Sequence, residues 1–284
     1  MGQSFYEADA DARAVFDEAS ELLGYDMKAL CFEENEKLNL TQYTQPAMVT
    51  TGIAIMKVVE KQGLLPDTAA GLSLGEYEAL YAAGAFSVTD AIRVVARRGE
   101  LMEAAVPAGV GAMAAVLGAE ASLIEETLSE IPEVWIANYN CPGQIVISGK
   151  KEAVEAAAEA LKARGIKRVL MLNVSGPFHS GLLREAGEEL GKVLADTEIH
   201  PLRIPYYANV TGDIVEDAAK VRGLLTEQVY SSVRFEQSIR NMLSAGVDTF
   251  YELGPGKTLA GFVKKIDREA TVVNIETMED LAKI

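Results

Sequence analysis

Apolar residues in the segment FYEADADARAVFDEASELLGYD fall at Ala12, Val15, Phe16, Ala19 and Leu22–Leu23. That is the i, i+3, i+4, i+7 spacing of one helical face, so the pattern predicts an amphipathic helix. TQPAMVTTGIAIMKVVEKQG predicts a second helix, with Pro46 at the first helical position, where its missing N–H has no intrahelical partner to lose. DTAAGLS is a short apolar run, GEYEALYAAG supports a further helix, and Thr89 and Asp90 are candidate caps for AIRVVARRGELMEAA. The rhythm then changes. Residues 111–119 read as a strand, ASLIEETLSEI as a helix, VWIANYN and IVISG as strands around a CPGQ turn, KEAVEAAAEALKARG as a helix and IKRVLMLNV as a strand.

This βαββαβ order is the ferredoxin-like split unit, predicted over residues 107–174 as an insertion between two parts of a larger α/β core, 1–106 and 175–284. The core resumes with a helix over 180–196, a strand near RIPYYANV, helices over 216–230 and 235–245, a strand at TFYELG and a last helix after GPGK.

Composition narrows the classes. The chain has 284 residues, 49% hydrophobic and 24% charged, which suits a globular protein with a full core. Its net charge of −16 argues against a nucleic-acid partner. Cys31 and Cys141 stand far apart, so neither a disulfide framework nor a metal cluster is expected. With no signal peptide and no membrane-length apolar run, a cytoplasmic setting is expected.

Gly71-Leu72-Ser73-Leu74-Gly75 is a Gly-x-Ser-x-Gly pattern, which can place a serine nucleophile on a sharp strand-to-helix turn. Alone it is a weak signal. A serine nucleophile needs a base, and the chain has two histidines. His200 precedes a proline at an element boundary and reads as a surface residue. His179, in VSGPFHSG, follows a strand, where α/β proteins assemble their sites. No acidic residue stands out as a third member of a triad. In the arginine-bearing helix, Ile92, Val95, Ala96, Gly99 and Met102 form the apolar stripe. Arg97 lies opposite that stripe and Arg93 well away from it, whereas Arg98 flanks it and can lean inward to clamp a carboxylate. Gly256-Lys257-Thr258 resembles the end of a phosphate loop, but Tyr251 stands where that loop needs glycine, so a tight turn is expected there.

TQYTQPA, GLSLGEYEAL, RRGELM, GAMAAV, ANYNCPGQIVISG, GPFHS, ANVTG, EQVYSSVRF and YELGPGKTLAGF together resemble, in order and over nearly the whole chain, the malonyl-CoA:acyl carrier protein transacylase family. The resemblance implies an α/β fold with a hydrolase-like parallel-sheet core and the ferredoxin-like insertion. It implies Ser73 as nucleophile, His179 as base, the Leu74 N–H as an oxyanion donor and Arg98 as the malonyl carboxylate's partner. Gln228, through its backbone carbonyl, and Asn209 are implied to orient the histidine, with Phe178 and Met102 in the acyl pocket. The implied reaction moves malonyl from malonyl-CoA to the phosphopantetheine thiol of acyl carrier protein, in fatty-acid biosynthesis, with no cofactor and by a monomer. KARGIKR and Lys264–Lys265 are candidate docking patches for an acidic carrier protein, against the default of a solvated face.

Two departures from the family pattern stand out. The family begins with a central apolar strand ending in Gly-Gln-Gly-x-Gln, whose turn supplies a second oxyanion N–H, whereas this chain starts at MGQSFYEA. The expectation is a gap with unpaired backbone beside it, from a start placed elsewhere, a trimmed chain or a truncated form with impaired activity. Leu72 also replaces the family's usual His before the nucleophile. The alternatives are an acyltransferase of polyketide or malonate metabolism, a hydrolase, or a module that only binds a carrier protein.

Overall fold

The computed structural model describes residues 1–107, 109–174 and 176–284. Positions 108 and 175, beside the two expected domain junctions, lie outside the described residues. The elements run α1 (Gln3–Ala8), α2 (Ala10–Leu23), α3 (Met27–Phe32), α4 (Thr41–Lys61), β1 (Ala69–Ala70), α5 (Gly75–Ala82) and α6 (Val88–Ala104). There follow β2 (Gly111–Leu117), α7 (Ala121–Ser129), β3 (Val134–Cys141), β4 (Gln144–Lys150), α8 (Lys151–Ala163) and β5 (Arg168–Met171). The chain continues through α9 (Arg184–Ala195), β6 (Tyr206–Tyr207), β7 (Ile214–Val215), α10 (Val221–Gln228) and α11 (Phe235–Ser244). It ends with β8 (Thr249–Leu253), α12 (Thr258–Ile266), β9 (Thr271–Ile275) and α13 (Met278–Leu281).

The βαββαβ unit is present as read. Its four antiparallel strands lie in the order β3-β4-β2-β5, with α7 and α8 closing a small core around Val116, Ile124, Ile136, Ile147 and Leu161. A larger core is built mainly by α2, α4, α5, α6 and α9, around Phe16, Ile53, Leu80, Ile92 and Leu190. Beside it, β1 pairs in parallel with β6, and β8 in parallel with β9. Between these two sheets runs a cleft of about 670 Å³, lined by Ala69, Ala70 and Gly71 on one side and by 249–253 on the other. Among the described residues β1 has a strand partner only in β6, and β8 only in β9, so each leaves one edge without a strand.

Several boundaries differ from the sequence reading. The opening helix is two helices, because Asp9 leaves helical geometry and accepts from the N–H groups of Asp11 and Ala12, starting α2 afresh. The second helix starts at Thr41, so Pro46 sits inside it. Only the hydrogen bond to the carbonyl one turn earlier is lost, and tertiary packing of the buried face carries the helix through. Ser87, not Thr89 or Asp90, caps α6: its hydroxyl accepts from the Asp90 N–H, while the Thr89 hydroxyl is spent on Glu18. The short elements α3, β9 and α13 carry too few residues to show a period, and the sequence reading passed over them. The GPGK segment does form a tight turn, with Gly254 and Gly256 at φ of 123° and 90° before α12.

Candidate active site

The Ser73 turn joins β1 to α5 in four residues. Ser73 takes φ of 53°, a left-handed conformation uncommon for a residue with a side chain. The turn is tight enough that a Cβ on Gly71 would come within 2.0 Å of the Gly75 backbone, so only glycine fits there. A Cβ on Gly75 would meet nothing within 4 Å. Asn209, which follows β6, locks the turn from the neighbouring strand: its Oδ1 accepts from the Ser73 N–H at 2.6 Å and its Nδ2 donates to the Gly71 carbonyl at 2.6 Å. The expected histidine-orienting role of Asn209 has no direct contact behind it: its side chain holds the nucleophile turn and meets Gln228 Nε2 at 3.4 Å. Two short strands held in parallel register, Ala70 beside Tyr207, bring the asparagine there.

His179 lies in the loop after β5, also in left-handed geometry at φ of 56°. Its Nε2 is 2.7 Å from Ser73 Oγ, and its Nδ1 is 2.8 Å from the backbone carbonyl of Gln228 at the end of α10. A carbonyl only accepts, so Nδ1 carries the proton and Nε2 offers its lone pair to the serine hydroxyl. A neutral carbonyl thus stands where a triad would place an acid. Burial, and next the neighbouring Arg98 charge, push the His179 pKa down to about 4, leaving the imidazole neutral and basic near pH 7.

Arg98, on α6, is 1% exposed. Its guanidinium donates to Gln45 Oε1 at 2.7 Å, to Gln228 Oε1 at 3.1 Å and to Ser73 Oγ at 3.1 Å, and its Nε has no partner. Among the described residues no carboxylate lies within ion-pairing distance of it. Burial lowers its pKa without neutralising a guanidinium. Arg93 and Arg97 on the same helix are solvated and pair with Asp90 and Glu100.

The Leu74 N–H, at the entrance to α5, carries no hydrogen bond among the described residues. Leu72 packs partly buried on the cluster around Tyr207 and Val233. Phe178 packs on Met113, Ala137 and Val146, across the seam between the ferredoxin-like unit and the larger core. Met102 is buried one helical turn beyond Arg98, its sulfur 3.5 Å from Gln45 Nε2. His200 is a half-exposed loop residue, and its ring lies 3.5 Å from Glu198.

The sequence reading missed two polar side chains here. Gln45 is the shortest neutral contact of Arg98. Glu76 is wholly buried: its Oε2 accepts from Gln228 Nε2 at 2.7 Å and from the Asn209 N–H at 3.2 Å. Burial pushes its pKa up to about 7 against those hydrogen bonds and the Arg98 charge. A visible signal existed for Glu76, since it lies one turn before the apolar Leu80 on the same helical face. Of the candidate carrier patches, Lys162 and Arg164 are committed to Glu159, Glu126 and Glu130. Lys264 donates to the Arg268 carbonyl and Lys265 to Gln144.

The acyl transferase domain family matches residues 1–280. The malonyl CoA-acyl carrier protein transacylase of Bacillus subtilis is 46% identical over 286 aligned positions, covering 99% of this chain and 90% of the relative. The crystal structure of the Clostridium perfringens malonyl CoA-acyl carrier protein transacylase superposes with a TM-score of 0.96 at 42% identity, covering 100% of this chain and 90% of that one. A malonyl-transacylase solved in complex with its type II PKS acyl-carrier protein superposes with a TM-score of 0.96 at 38% identity, covering 100% of this chain and 93% of that one. The chain therefore belongs to the acyl transferase domain family and, within it, to the malonyl CoA-acyl carrier protein transacylases.

Proposed function

We propose that this protein transfers malonyl from malonyl-CoA to the phosphopantetheine thiol of an acyl carrier protein through a malonyl-Ser73 ester. The observation that carries this reading is the buried Arg98 guanidinium, 3.1 Å from Ser73 Oγ and held only by neutral acceptors. A buried guanidinium with no carboxylate in direct contact favours a substrate that brings one. The malonyl group does so two bonds from the thioester carbonyl that a serine would attack.

Ser73 Oγ attacks that carbonyl while His179 Nε2 takes its proton, and the Leu74 N–H stabilises the oxyanion. The tetrahedral intermediate collapses, the C–S bond breaks, and the proton on His179 goes to the CoA sulfur. The carrier's pantetheine thiol then gives its proton to His179 and attacks the ester. Ser73 leaves with that proton, and the malonyl thioester forms. The thioester supplies the chemical driving force, so the reading calls for no cofactor. Phe178 and Met102 bound the acyl end, Gln228 orients His179, and residues 1–106 with 175–284 act as one core around the 107–174 unit. The setting is cytoplasmic, the active unit is one chain, and the product feeds fatty-acid synthesis. No helix among the described residues is long and apolar enough to cross a membrane.

Incubation with malonyl-CoA should leave an adduct on Ser73 in the intact-mass and peptide spectra, discharged by a holo carrier protein. Ser73→Ala should show none. Rapid loss of the adduct to water without a carrier would instead make the protein a hydrolase, and no adduct on folded protein would leave it a binding module.

A further inference from the structure

Around Arg98 and Glu76 lie three buried oxygens that make no well-formed hydrogen bond, Glu76 Oε1, Tyr77 Oη and Tyr206 Oη, with the Tyr206 hydroxyl beside Glu76 and the Tyr77 hydroxyl beside Arg98. Tyr77 and Tyr206 both sense the Glu76 charge, and the Arg98 guanidinium stacks 5.4 Å from the centre of the Tyr77 ring. Glu76 Oε2 is fully used, by Gln228 Nε2 and the Asn209 N–H, so any proton on this carboxyl resides on Oε1, the oxygen without a well-formed hydrogen bond. Gln228 links the layers, donating to Glu76 and accepting from Arg98 through one amide. The free site therefore stacks one buried cation over one buried carboxyl.

From this geometry, and resting on the function proposed above, we infer that Glu76 takes up a proton from solvent when the malonyl carboxylate docks on Arg98, so that the buried site holds one cation and one anion in both states. Two ionised carboxylates sharing one guanidinium in a dry pocket repel each other, and the one with a free oxygen and hydroxyl neighbours is the one that protonates. Glu76 is thus a positioning residue. Protonated, it keeps both of its Oε2 contacts, so Gln228 and Asn209 hold His179 and the Ser73 turn unchanged through the binding step. Its titration lies near pH 7, within reach of a neighbouring charge, whereas His179 stays neutral far above its own pKa of about 4.

The test uses the whole chain carrying Ser73→Ala, which binds without turnover. Calorimetry at pH 8 in two buffers of different ionisation heat counts the protons bound with malonyl-CoA and with acetyl-CoA. The expected result is uptake of about one proton with malonyl-CoA, none with acetyl-CoA, and none in the Ser73→Ala/Glu76→Gln protein. Malonyl-CoA binding without uptake overturns the inference, and so does uptake that survives Glu76→Gln. Should the double variant fail to fold, infrared difference spectra of the Ser73→Ala protein with 13C-labelled malonyl-CoA decide: a new protonated carboxyl band of the protein supports the inference, and its absence overturns it. Malonyl-CoA binding no tighter than acetyl-CoA removes the proposed function itself, and the inference falls with it.

Discussion

Arg98 takes its interest from what surrounds it: two glutamine amide oxygens and a serine hydroxyl, all neutral. Such acceptors hold the guanidinium in place without cancelling its charge. Removing the cation should cost most for a substrate whose carboxylate would otherwise be paired. Arg98→Ala is expected to lower kcat/KM for malonyl-CoA by about 10²–10³-fold. It should lower kcat/KM for acetyl-CoA far less, so the ratio measured by competing the two thioesters collapses. An unchanged ratio would remove Arg98 from substrate selection. The inward lean of Arg98 was visible from its angle to the Ile92–Val95–Met102 stripe, because a helix fixes side-chain direction by arithmetic. Its neutral partners were not visible. Gln45 and Gln228 reach it from α4 and α10, and no local spacing announces a contact between residues 53 or 130 positions apart. The place of Asn209 failed to show for the same reason, since it depends on the register of two-residue strands.

Elements explain why the Gly-x-Ser-x-Gly pattern splits into one required glycine and one permitted one. Gly71 ends the approach from β1, where the chain doubles back so closely that an added methyl group would press on the Gly75 backbone at 2.0 Å. Gly75 opens α5 at a position with room for a methyl group. Gly71→Ala is therefore expected to open the turn, lower the thermal midpoint by several degrees and abolish Ser73 acylation. Gly75→Ala should raise stability by about 0.4–1 kcal/mol, because alanine at a compatible helical position restrains the unfolded chain. Equal thermal shifts for the two variants would refute this asymmetry. The pattern of apolar residues announced the long elements around this turn and the whole βαββαβ order, where periods run over several repeats. It misplaced the starts of α2, α4 and α6, each decided by a single side chain: Asp9 capping, Pro46 tolerated, Ser87 chosen over Thr89.

Across the whole molecule, desolvated ionisable groups set opposing pH dependences, whose windows overlap between about 4.5 and 6.5 and part above that. Glu78, on the face of α5 away from the nucleophile, lines the cleft between β1 and β8, and desolvation alone pushes its pKa up to about 8. A carboxyl whose folded pKa lies above its unfolded value binds its proton more tightly when folded. Its contribution is therefore complete below about 4.5 and is lost as pH rises toward about 8, and Glu76 acts in the same direction up to about 7. His179 opposes them at lower pH: its folded pKa is depressed from 6.5 to about 4, so stability falls as pH drops through that window. Above pH 6.5 the histidine term is spent and the carboxyls alone give the slope. The net charge of −16 adds self-repulsion of the same sign. The urea midpoint should consequently fall between pH 6.5 and pH 8, and Glu78→Gln should flatten that decline while leaving Ser73 acylation measurable at both pH values. Glu78 faces the cleft and Glu76 the site, so the two substitutions should divide the slope between them. A Glu78→Gln protein with the full wild-type decline would mean that the cleft side of α5 is hydrated in solution, and that its carboxyl titrates as an ordinary surface group.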